Sequence, residues 1–118
     1  MIINGVELEN LDIYDVEVAE KYERGLEKIK NMSEDVINKS FSESIKIQCN
    51  HIFDFFNTLF GEGTDTKVFG NKVNLVTCLK AFEELISQVN EQRKEQDKEV
   101  EKISNKYSPN RAARRSKK

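Results

Sequence analysis

The side chains that could do chemistry are few, and their spacing does not suit it. There are two cysteines, Cys49 and Cys78, and one histidine, His51. Cys49 and His51 lie two apart in a stretch that reads as a helix, so they point to different sides. A zinc site needs four ligands, and no such set is present. A disulfide would need the two Cα atoms within about 7 Å. With no secretion signal, the pair reads as two small buried apolar side chains. A catalytic histidine needs an orienting partner, and the sequence does not place one beside His51. That residue reads as structural or interfacial.

The segment Gly61-Glu62-Gly63-Thr64 invites comparison with a phosphate-binding loop. A Walker loop requires Gly-x-x-x-x-Gly-Lys-Ser/Thr after a strand. Here the spacing from Gly63 to Gly70 is wrong, Lys72 is displaced, and a helix precedes. The acidic residues fall opposite apolar stripes, where solvation explains them. The chain is read as non-enzymatic, with no catalytic, cofactor-binding or metal-ligating residue and no cofactor.

The elements that carry these residues are mainly helical. The 118 residues suit one domain, and 37% apolar with 34% charged residues supports only a small core. Five glycines and one proline are too few for a β-sandwich. No apolar run is long enough to span a membrane. Met1–Asn10 carries Glu7 and Glu9 and no basic side chain, unlike a signal peptide, so the expected location is cytoplasmic.

Residues 1–8 read as a small β-hairpin, because Asn4-Gly5 between apolar runs fits a type I′ turn. A helix is predicted over 12–32, opening at Asp12 or Asp15. Its stripe is Val18, Tyr22, Leu26, Ile29 and Met32, and Gly25 suits close packing beside it. A break is expected within 31–40. Ser40-Phe41-Ser42-Glu43 then fits a capping box for a helix over 40–60. On that helix Phe41, Ile45, Cys49, Ile52, Phe53, Phe56, Leu59 and Phe60 share one face, Phe55 widens it, and Ile47 faces away. Four phenylalanines from Phe53 to Phe60 exceed what one flat face buries. Either flanking helices cover them or a partner does. Residues 61–70 read as a loop, with Val68 and Phe69 folded back onto the core.

A third helix is predicted over 71–107. Leu75, Cys78, Leu79, Phe82, Leu85, Ile86 and Val89 form its stripe. The charged run 91–99 interrupts the stripe, which resumes in phase at Val100, Ile103 and Tyr107. A helix from 72 to 107 would be roughly 54 Å long at ~1.5 Å per residue. A compact domain of this size has a radius of gyration of only about 13–14 Å. The last four turns should therefore project as an arm. The fold class is a small mainly α domain, 1–107: about three helices, an N-terminal hairpin and a long projecting C-terminal helix. Residues 108–118 read as a basic disordered tail. They hold five of the 19 basic residues and none of the 21 acidic ones, leaving a body of net charge −7. Such a body repels nucleic acid.

Both ends and the middle of the chain carry a resemblance. IINGVELENLDIYDVEVAEKYE, FFNTLFGEGTDTKVFGNKVNLVTCLKAFEELI and SPNRAARRSKK resemble small tail-module proteins of phages and prophages of Gram-positive bacteria. The resemblance implies a tail assembly chaperone that coats the tape-measure protein, or another tail protein, in the host cytoplasm. A homo-oligomer is expected. The expected contact residues are Ile47, Phe55, Val100, Ile103 and Tyr107, with Arg111, Arg114 and Arg115 docking electrostatically. A permanent structural or adaptor component of the particle is the alternative. A small nucleic-acid-associated regulator comes third.

Overall fold

A computed structural model describes residues 1–107. The expected tail and its three arginines, Arg111, Arg114 and Arg115, lie outside the described residues. The protein is mainly helical, with a short N-terminal antiparallel hairpin and a long C-terminal helix. The elements are β1 (Ile2–Ile3), β2 (Val6–Glu7), α1 (Val16–Lys30), α2 (Met32–Asp35), α3 (Phe41–Phe60), α4 (Thr64–Phe69) and α5 (Leu75–Tyr107).

Asn4 and Gly5 both have positive φ, 52° and 75°, as a type I′ turn demands. So short a ribbon is unstable alone and must be docked. It is docked on its own chain. Ile3 is fully buried. The Asn4 amide N–H donates to Glu84 Oε1, Asn4 Nδ2 to the Val68 carbonyl, and Gln88 Nε2 to the Ile2 carbonyl.

Asp15, not Asp12, caps α1, accepting from the Glu17 N–H at 3.0 Å. Asp12 instead closes the preceding turn. Ser40 caps α3 by accepting from the Glu43 N–H at 3.2 Å. Between them the expected break contains a single helical turn, α2. Residues 61–70 hold a helix where a loop was expected. Asn57 Oδ1 accepts the Asp65 N–H, Thr64 Oγ1 donates to the Gly61 carbonyl, and left-handed Gly63 starts the turn. The third long helix starts at Leu75, four residues later than expected, because Asn74 Oδ1 takes the Thr77 N–H.

Helix α3 is the centre of the core. Antiparallel α1 covers one flank and α5 the other, with α4 folded over its C-terminal half. Phe55 meets Tyr22, Phe56 and Phe82 at ring-centroid distances of 5.9, 6.5 and 5.6 Å. Phe69 of α4 packs on Phe53 and Phe56 at 5.1 and 5.4 Å. Cys49, Ile52, Phe56, Cys78, Leu85 and Val89 are fully buried. Gly25 is required by its neighbour: a Cβ there would stand inside the Phe55 ring.

Candidate interaction surfaces

Of the phenylalanine cluster, Phe53 and Phe60 are half-buried, whereas the flanking helices and α4 bury Phe56 fully and leave Phe55 only 2% exposed. Its expected contact role is corrected on that ground: Phe55 faces the α1–α3 seam over Gly25, where the side chain is out of a partner's reach. Ile47 is half-buried.

The other three described contact candidates are at the surface. Val100, Ile103 and Tyr107 are exposed, Tyr107 by 73%. Residues 10–12 line one open hollow together with Gln92, Glu95 and Gln96 of α5, and Ile13 and Tyr14 line another with Arg93 and Asp97. Beyond Asp97 the helix leaves the body, so about three turns project rather than four. The described structure measures 58 × 31 × 21 Å with a radius of gyration of 18.2 Å, well above that of a compact domain. Lys106 lies over the Tyr107 ring at 5.5 Å from its centroid.

A second apolar surface has no counterpart in the sequence-based expectation. Phe41 belongs to the apolar arc of α3, yet it is 84% exposed. With Ile45, Val73, Asn74, Leu75 and Val76 it lines an open hollow of about 250 Å³. Here the N-terminal ends of α3 and α5 lie side by side, and no element among the described residues covers them. Val76 and Leu79 extend the exposure along α5. Periodicity assigned Phe41 to a face correctly, but it carries no information on where the covering helix ends. Helix α5 thus bears exposed apolar side chains at both ends, about 40 Å apart along its axis.

His51 does have a partner. Its Nε2 lies 2.9 Å from Asp35 Oδ2, across from the single turn of α2. Asp35 is sixteen residues upstream in a segment without periodicity, so nothing local in the sequence signals the pairing. Cys49 and Cys78 are free thiols buried within the core. Burial, with Cys49 adding to it, pushes the Cys78 thiol from its ordinary 9.0 up to about 12. Burial also raises Tyr22, a shift that Arg93 opposes. Among the described residues no three His, Cys, Asp or Glu side chains converge to hold a metal. No described helix is long and apolar enough to cross a membrane.

These features define a small, elongated, mainly helical domain with uncovered apolar side chains at its two ends. The chain belongs to a family of unknown function (DUF6673), which matches it over residues 4–118. No curated protein and no solved structure matches it.

Proposed function

We propose that this protein is a non-catalytic assembly factor of a phage or prophage tail, a chaperone that binds the tape-measure protein in the host cytoplasm. One observation carries the interaction role: the in-phase stripe Val100, Ile103 and Tyr107 on a helical arm clear of the core. An amphipathic helix with an unpartnered stripe suits a helical client, which offers the same i, i+3, i+7 pattern. The tail-module assignment itself rests on the resemblance of the two ends and the middle of the chain. Arg111, Arg114 and Arg115 follow the arm in sequence and supply electrostatic docking to an acidic client.

Co-expression with a tape-measure fragment tests the reading. The wild-type chain should co-purify with the fragment, and the Ile103→Asp/Tyr107→Asp double variant should lose it while keeping its helical content. Equal recovery by both forms would refute the assignment of the arm.

A permanent structural or adaptor component is the second reading. The observation favouring it is the pair of apolar ends on α5. A subunit with different sticky surfaces at its two ends joins copies head to tail, into a ring or a filament. Presence in purified particles would favour this reading, and absence the chaperone.

A further inference from the structure

We infer that the cleft between α1 and α3 is a binding site for an oxyanion, a phosphate or carboxylate. Lys21, Arg24 and Lys28 occur at spacings of three and four, which places them on one face of α1. His51, Asp54 and Thr58 repeat the same spacing on antiparallel α3. The two rows face each other across a cleft of about 300 Å³, floored by Gly25 and Phe55. The absent Cβ at Gly25 brings Phe55 up close beneath the cations.

The charges in the cleft do not satisfy one another. Among the described residues Lys21 has only a 3.9 Å contact with Glu17, and neither Arg24 nor Lys28 makes an ion pair. Asp54 shares the cleft, yet it forms no ion pair with any of the three. Three cations thus line one cleft of a body of net charge −7, and among the described residues two of them, Arg24 and Lys28, have no acid partner. Arg24 offers a planar fork for two oxygens, and the lysines add point charges. Thr58 adds a hydroxyl, and His51, held through Nε2 by Asp35, keeps Nδ1 for another partner. Asp54 sets a limit: it repels an anion and so weakens binding. The cleft shares no residue with the apolar ends, so this site stands or falls separately from the proposed function.

The oxyanion can be free or borne by an acidic protein segment, and two probes separate these. The full chain is titrated with inorganic pyrophosphate and, separately, with a hexaglutamate peptide, following backbone amides of α1 and α3 by NMR. Amides around Arg24, Lys28 and His51 should shift. The Arg24→Gln/Lys28→Gln variant should bind at least about tenfold more weakly, and Asp54→Asn more tightly. All three side chains are exposed, and Asp54→Asn carries the test alone should the double variant fail to fold. A response to pyrophosphate assigns a free anion, and a response to the peptide alone assigns a protein-borne carboxylate. Shifts confined to residues outside the cleft, binding unchanged in the variants, or no response at tens of millimolar would each overturn the site.

Discussion

Two phenylalanines of one helix show how far residue type and position each carry. Phe41 and Phe55 both lie on the apolar side of α3. One is exposed, while the other sits between Tyr22, Phe56 and Phe82. Phe55→Ala should therefore cost about 3–5 kcal/mol by urea denaturation, the usual range for a buried aromatic. Phe41→Asp should change stability by no more than about 0.5 kcal/mol. Gly25→Ala gains about 1 kcal/mol of helix propensity but drives a methyl into the Phe55 ring. Overpacking of that kind costs about 1–3 kcal/mol, so a net loss is expected, and a more stable variant would contradict the close approach. The spacing of Gly25 beside its stripe made this packing legible in sequence. The exposure of Phe41 was not, because it depends on where α1 and α5 stop.

The buried thiols make stability depend on pH. Unfolded, Cys78 titrates near its ordinary 9.0, whereas folded it titrates at about 12. Between those values the folded chain holds a proton that the unfolded chain has lost. Its contribution is complete below pH 9 and is lost as the pH rises toward 12. The urea midpoint should fall with rising pH in that window, and Cys78→Ala should fall less steeply. Identical slopes would show that the thiol is not responsible.

At the scale of elements, the hairpin, the three long helices and the Ser40 cap are written in local pattern: Asn-Gly, apolar period and Ser-x-x-Glu. The short helices α2 and α4 are not. A one-turn helix has no period to detect, and α4 depends on the Asn57 side chain of another element capping Asp65. The docking of the hairpin was also open in sequence, since Asn4 reaches residues 64 and 80 positions away. Helix α5 divides at Asp97 into a packed part and an arm. Its arm carries Val100, Ile103 and Tyr107 exposed to solvent, so amides 98–107 should exchange hydrogen much faster than those of 81–92. Uniform protection along α5 would mean that something else covers the arm.

For the whole molecule, the two ends matter more than the core. The sequence left open whether flanking helices or a partner cover the phenylalanine cluster. Flanking elements bury Phe55 and Phe56, and the larger apolar exposure lies at Phe41, Val73 and Val76 and along the arm. Charge interruption over 91–99 with an in-phase return made the arm legible. The hollow at the other end depends on three segments meeting, which no single stretch encodes. Self-association and client binding both draw on these ends, so one measurement addresses them together. Light scattering with in-line size exclusion would give the mass of the full chain with and without a co-expressed tape-measure fragment. The proposed function predicts a defined complex that forms with the fragment and is lost in Ile103→Asp/Tyr107→Asp. A symmetric ring or tube formed by the chain alone, indifferent to the fragment, would contradict it.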